Sequence, residues 1–520
     1  MVRPAPCRGS YILTIVEHPL WLSSSLAVGF CVDKRSPVWY YFFEYALSYG
    51  GLVMRKSCDV LYIHSTKNPI GVNNMKYPIM PMGIIGVLNN LRARGIQVMG
   101  LNFAIEKSLN PQFDILTTLE NIDYKVLLTD LHWYEHSFGA LYIAEQSKKL
   151  HPHTPTVLGG YTSTIFANEI MENFPQVDYI VTGDSDLPVE RLVDELLGNA
   201  DSPDTIPNLV YRRDGFVLTS REIWAQTDLD AIDFIHTDCF EHSQYIPYLT
   251  VKGLTRKASS YWLCIARGCK FNCAYCCGAN ANMETLFHRC NVLTRSPERV
   301  ASDFCQLTEM GISRVSPSHD FQMLGKDYYQ KVFSQIRKAN VKPGMYLECF
   351  QLPTKEYIDD IARTFDKKNL ILVISPISGN EILRRENGKF FTNEALVDMV
   401  AYAMAKGIVV QLYYTLNIVG ETRQQFMDTY IQMKYLHILL GLGRKSILYQ
   451  RVVIDPLAGM RKMEGIEVKY NDFMDYYHYC LLADEEKYSA TGFEDRGEVP
   501  LMEKIRMYEG IFSQDTACLD

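Results

Sequence analysis

The residues best suited to chemistry are Cys269, Cys273 and Cys276, in Ala266-Arg-Gly-Cys-Lys-Phe-Asn-Cys-Ala-Tyr-Cys-Cys-Gly278. Their spacing is C-x3-C-x2-C. An apolar run that predicts a strand, Tyr261-Trp-Leu-Cys-Ile-Ala266, comes just before. Three thiolates on so short a loop can face one centre, and soft sulfur suits zinc or an iron–sulfur cluster. A structural zinc site needs a fourth ligand, usually from a second closely spaced pair, and the chain has no second CxxC. In a four-iron cluster three cysteines leave one iron open to a further ligand. Cys277 falls outside the three-ligand spacing and reads as a small buried residue.

With Tyr275 at the aromatic position, the stretch resembles the C-x3-C-x-aromatic-C loop of the radical S-adenosylmethionine enzymes. The resemblance implies a 4Fe–4S cluster on Cys269, Cys273 and Cys276. It also implies S-adenosylmethionine at the open iron, with Tyr275 beside it, and reductive cleavage to a 5′-deoxyadenosyl radical.

The rest of the chain has to position this loop. At 520 residues it has room for several domains. A net charge of −8 excludes a general nucleic-acid surface. The 14 cysteines, with no secretory leader, point to a reducing cytoplasm. No apolar run reaches the ~18 residues of a membrane span, since Tyr11–Val32 is broken by Glu17, His18 and Pro19. Residues 1–53 lack helical or strand periodicity. We expect them to be a dispensable extension, with Met54 as the start and Gly50-Gly51 encoded by a ribosome-binding sequence.

From residue 54 to 200 strands and helices alternate, with strands expected at Asp59–His64, Gln97–Phe103, Tyr124–Thr129, Thr156–Gly160 and Val177–Gly183. Apolar strands separated by single helices predict a doubly wound, Rossmann-like parallel sheet with its ligand over the C-terminal strand ends. Val157-Leu-Gly-Gly-Tyr-Thr-Ser163, Asp178-Tyr-Ile-Val-Thr-Gly-Asp184 and Thr129-Asp-Leu131 resemble the cobalamin-binding domain that precedes many radical S-adenosylmethionine barrels. The resemblance implies cobalamin contacts at Thr129, Leu131, Gly159, Gly160, Thr162 and Gly183. Asp130-Leu-His132 is not the axial-histidine loop of other cobalamin proteins. That loop follows the first strand, and its glycine is Glu135 here. We therefore expect cobalamin with its tail base displaced and no histidine on cobalt.

Residues 201–255 read as a linker, with a hairpin turning at Asp214-Gly215 that bridges the domains. Residues 256–458 alternate again, giving six strands with five crossovers, a partial (β/α)6 TIM-like barrel of the radical S-adenosylmethionine type, its chemistry at the C-terminal strand ends. Ser296-Pro297 and Thr392 are helix starts. By resemblance, Ser378 touches the adenosyl ribose and Arg384 or Arg385 the carboxylate, while Leu416-Asn-Ile-Val-Gly-Glu421 shapes the adenine pocket. Ser316-Pro-Ser-His-Asp-Phe321 stands where the family carries Gly-Gly-Glu, so Asp320 or His319 takes over the methionyl amine. Glu348 and Gln351 line the pocket. Residues 459–520 form a tyrosine-rich helical tail.

The resemblance to cobalamin-dependent radical S-adenosylmethionine enzymes covers residues 57–455. It implies methylation of an unactivated carbon. A rearrangement, cyclisation or coupling enzyme is the alternative, and a cobalamin or redox sensor without turnover is the reading from another class. Its partners would be a small-molecule, lipid or peptide substrate and an electron donor such as flavodoxin or ferredoxin.

Overall fold

The computed structural model describes residues 55–71, 77–198, 202–251, 253–255, 257–416, 418, 420–451, 455–462, 470–482 and 497–513. The proposed extension at 1–53 lies outside the described residues, as do Asn417 and Val419 of the Gly-Glu turn.

Five parallel strands come first: β1 (Lys56–His64), β2 (Val98–Asn102), β3 (Ile122–Asp130), β4 (Thr156–Gly159) and β5 (Tyr179–Val181). Their residues are apolar on both faces because both faces are covered. On one side α1 (Met82–Ala93) and α3 (Asp186–Leu196) set Val87, Leu88, Val189 and Leu192 against Val60, Tyr62, Val126 and Val157. On the other, α2 (Ser137–Leu150) packs Ile143 against Leu61, Ile63 and Leu127.

The expected linker hairpin is part of this sheet. β6 (Leu209–Arg213) pairs antiparallel with β5, and β7 (Phe216–Thr219) pairs with β6, giving the order β2-β1-β3-β4-β5-β6-β7. Its turn is at Asp214-Gly215, both at positive φ. The free edge of β5 is a stronger partner for β6 than water is, so the hairpin extends the sheet instead of spanning two domains.

The second sheet has six parallel strands in simple order: β8 (Ser260–Leu263), β9 (Arg314–Pro317), β10 (Met345–Cys349), β11 (Leu370–Ile377), β12 (Val409–Thr415) and β13 (Ile447–Gln450). It never closes, as a partial barrel requires. The helix starts are where the caps place them: Ser296 Oγ accepts from Arg299 N and Thr392 Oγ1 from Ala395 N. Residues 56–520 form one compact unit. The tail is shared between its two sheets. α6 (Phe473–Leu481) packs Tyr476 and Tyr479 beside Tyr134 of the first domain, and α7 (Leu501–Ile511) puts Tyr508 against Phe426 of the barrel.

Candidate functional site

A cavity of about 490 Å³ lies where the two sheets present their C-terminal ends to each other. Tyr62, Leu128, Thr129, Val157, Gly159, Gly160 and Gly183 line it from the first domain, with Ile84 and Val87 of α1 and Val189 of α3. Trp262, Ala266, Gly268, Ser318 and His319 line it from the barrel, and Met283 and Phe287 from α4 (Asn280–Phe287). Ion pairs hold the two sides together: Arg267, just before the cysteines, binds Asp184 and Asp186 at the start of α3, and Arg289 binds Asp184.

The two adjacent glycines have different reasons to be glycine. A Cβ on Gly159 would meet only Val181 O at 3.9 Å, so this residue leaves the cavity wall open. Gly160 sits at φ +114, and a Cβ there would come within 2.7 Å of His132 N and 2.8 Å of the Leu131 carbonyl carbon. It is needed to dock its loop on residues 131–132, where Ser163 N donates to Leu131 O and Thr162 Oγ1 to His132 O.

The expected cofactor contacts therefore separate. Thr129, Gly159, Gly160 and Gly183 lie on the wall. Thr162 is buried and braces the loop. Leu131 is fully buried in the core beside Phe138 and Ile170, because the chain leaves the strand at Asp130 and the alternation of faces ends there.

Sequence reasoning missed the charge at this strand end. Asp130 Oδ1 accepts from Tyr62 OH at 2.6 Å and lies 2.8 Å from His64 Nδ1, whose Nε2 lies 3.1 Å from Tyr77 O. Burial opposes its ionisation, but His64, His136 and the Tyr62 hydroxyl hold the carboxyl well below its usual range. Asp130 Oδ2 is buried without a partner among the described residues, in a side chain on the cavity wall. The signal was His64 ending an apolar strand.

His132 is on the same wall, with Trp133 and Tyr161 edge-on to its ring. Burial lowers its pKa to about 4, so it is neutral. His136, four residues on, is turned away toward His64 and Asp130. The ligand atoms of His64, Asp130 and His136 lie within 4.8 Å of one another, the one such group of three among the described residues.

The three loop cysteines are free and half-buried, and a multi-iron cluster takes one such thiol per iron. The loop is shaped for such a group. Phe271 N donates toward Cys269 Sγ, and Gly388, at φ +87, packs its Cα where a Cβ would be 3.4 Å from Cys273 Sγ. Cys277 is turned to Asp455: its N–H donates to Asp455 Oδ2 at 3.1 Å, and burial plus that carboxylate push its thiol far up, as they push that of Cys276 up to about 12.

Above the loop, Tyr275 packs with Ile377, Leu383 and Ile418. Ser378 is fully buried, its hydroxyl 3.0 Å from Thr429 Oγ1. Arg384 is fully buried in α5 (Glu381–Glu386), where it donates to Ser378 O, Phe391 O and Asn393 Oδ1. It is an internal strut of the Ser378 turn, and Arg385 is exposed. Asp320 is a strut too: it accepts from Gln322 N and Phe350 N, and burial raises its pKa to about 6. His319 bridges Ser318 Oγ at 2.8 Å and Gly268 O at 2.7 Å. Gln351 Nε2 donates to Gly388 O at 2.7 Å, holding the glycine that packs on Cys273. Glu348 opens onto the barrel lumen on the face of β10 that carries Tyr346. There burial raises its carboxyl and Lys389 pulls it back. Lys389, which sequence reasoning passed over, is buried, donates to Phe350 O at 2.8 Å and sets its charge beside Cys269.

A B12-binding domain model matches residues 69–193. The fold resembles that of the radical S-adenosylmethionine methyltransferase TsrM from Kitasatospora setae, solved with tryptophan substrate and a SAM analogue, with 14% identity and a TM-score of 0.56 over 77% of this chain and 74% of that one. It also resembles the cobalamin-dependent S-adenosylmethionine radical enzyme OxsB with aqua-cobalamin bound, with 11% identity and a TM-score of 0.52 over 84% of this chain and 56% of that one. No curated protein matches the sequence. The chain thus has the fold of the cobalamin-dependent radical S-adenosylmethionine enzymes, a doubly wound B12-binding domain followed by a partial barrel, as its motifs imply. No helix of the described residues is long and apolar enough to cross a membrane.

Proposed function

We propose that this protein is an enzyme that methylates an unactivated carbon of a substrate bound between the two sheets. The observation that carries this reading is a cavity walled on one side by the B12-binding domain and on the other by the strand ends that lead into the cysteine loop. When bound, the cluster and S-adenosylmethionine supply a radical, and cobalamin supplies a transferable methyl group.

The chain's own residues orient these groups and keep water out. Cys269, Cys273 and Cys276 would hold the cluster, with the Tyr275 ring beside them. Lys389 sets its charge beside Cys269, and the Glu348 carboxyl lies within reach of Lys389, a pair suited to the methionyl carboxylate and amine. They take the places expected of Arg384 and Asp320, whose polar atoms are engaged inside the protein. The apolar slot between the first sheet and α1 and α3 takes the cofactor tail past Gly159 and Thr129, and the ionised Asp130 offers Oδ2 to a donor on it. No histidine ligates cobalt in this reading; His132 stands on the wall without joining it.

The test is reduced, reconstituted protein given cobalamin and S-adenosylmethionine labelled in its methyl group. The expected result is 5′-deoxyadenosine together with S-adenosylhomocysteine and label in the cobalamin. 5′-Deoxyadenosine alone would select a rearrangement or coupling enzyme, and neither product would select a sensor.

A further inference from the structure

The short helix that follows the glycine pair, Tyr161–Ile165, reaches across to the cysteine loop. Tyr161 comes directly after Gly160, and its hydroxyl donates to Cys277 O at 2.8 Å. That carbonyl belongs to the peptide unit whose N–H is on Gly278, and Gly278 lies against Cys276, the third cysteine of the motif, where its N–H favours the thiolate. A Cβ on Gly278 would sit 3.4 Å from Cys276 Sγ, so no side chain separates the two. Asn282 Nδ2, from α4 inside the barrel domain, also donates to Cys277 O at 3.0 Å. One peptide therefore accepts from the B12-binding domain at its oxygen and lies against a cysteine sulfur at its other end.

Tyr161 is firmly held. Its loop is pinned by the close approach of Gly160 to His132, and by Thr164 Oγ1, which donates to Gly160 O and accepts from Gly183 N. Its ring packs 5.0 Å from Phe287 and 6.0 Å from His132, on the cavity wall. A ligand filling the cavity would press on this ring.

We infer that Tyr161 is a positioning residue through which occupancy of the cobalamin cavity tunes the cluster. It does so by polarising the Cys277–Gly278 peptide, whose dipole lies beside the Cys276 sulfur. Hydrogen bonds in series reinforce one another, and donors to cluster sulfur raise the reduction potential. The reduced cluster, ready to give up its electron, would then form most easily in protein already loaded with cobalamin. This rests on the cluster and cobalamin assignments above, but not on methyl transfer.

The experiment is a redox titration of the reconstituted cluster followed by electron paramagnetic resonance, without substrate, in cobalamin-free and cobalamin-loaded protein. In wild type the midpoint should rise on loading. In Tyr161→Phe, which keeps the ring and removes the donor, the rise should disappear while iron content and cobalamin binding are unchanged. Asn282→Ala should lower the midpoint and leave the rise in place. An equal rise in Tyr161→Phe, or none in wild type, overturns the proposal. If Tyr161→Phe fails to retain cobalamin, the cobalamin-free forms decide, and equal midpoints there overturn it. A protein that shows the rise but transfers no methyl group contradicts the proposed function and leaves this inference standing.

Discussion

At the C-terminal edge of the seven-stranded sheet, Tyr62 and His64 engage one oxygen of Asp130 and leave the other at the cavity wall. At the same edge of the barrel sheet, Asp320 engages backbone N–H groups of its own loop and of the loop after the next strand, Arg384 engages the carbonyl of Ser378 in its own turn, and Glu421 takes the ammonium of Lys504 from α7 at 2.7 Å, both side chains almost fully buried. Both edges carry buried charge. In the first it faces a ligand space; in the second it stiffens the loops that surround one. Charge at a strand end is therefore weak evidence of a ligand contact until its partners are known. A buried group whose hydrogen bonds are complete inside the protein has little left to offer a ligand.

This contrast can be broken in several ways. The largest effect belongs to the motif itself. Changing Cys269, Cys273 and Cys276 together to alanine should abolish the cluster absorbance and cleavage of S-adenosylmethionine, and Cys277→Ala should spare both. Loss of the cluster in Cys277→Ala, with retention in Cys276→Ala, would reverse the ligand assignment.

Next are the struts. Lys504→Met leaves Glu421 buried without its ammonium and should cost about 3–5 kcal/mol in a denaturant titration. Arg384→Met should cost about 2–4 kcal/mol by stranding Ser378 O and Asn393, whereas exposed Arg385→Ala should stay within about 0.5 kcal/mol. If Arg384→Met kept wild-type stability and raised only the apparent KM for S-adenosylmethionine, Arg384 would be a ligand contact after all.

At the other edge, Gly160→Ala places a Cβ against the His132 backbone at a positive φ. It should lose cobalamin retention, read from the visible spectrum, with iron content unchanged. Cobalt(II) resonance of the wild type should show no axial nitrogen splitting. A splitting that vanishes in His132→Ala would restore His132 as the ligand.

The smallest effect is a pH dependence. Burial, with Asp455 adding to it, raises the Glu135 carboxyl from 4.5 to about 7. The folded protein then holds a proton that the unfolded chain releases, so stability should fall as pH rises from about 4.5 through 7. Glu135→Gln should flatten that fall in urea midpoints measured at pH 5 and 8; an unchanged slope would mean that another group sets it.

Local pattern was enough to show two alternating domains, the six barrel strands, the Ser296 and Thr392 caps and three cysteines gathered on one short loop. Each rests on neighbours in sequence: a period of two or of 3.6, a cap three residues from its donor, three cysteines within eight residues of chain. The distinction between Gly159 and Gly160 depended on tertiary structure, because only the folded chain brings residues 131–132 under one of them. The internal engagement of Ser378 and Arg384 also depended on it, with partners reaching residue 432. So did Lys389, whose neighbours Cys269 and Phe350 lie far away along the chain, and Tyr161, bonded to a carbonyl 116 positions on. Spacing records which residues share a turn or a face. It does not record which distant backbone will occupy a side chain's hydrogen bonds, and at these strand ends those bonds separated a ligand contact from a strut.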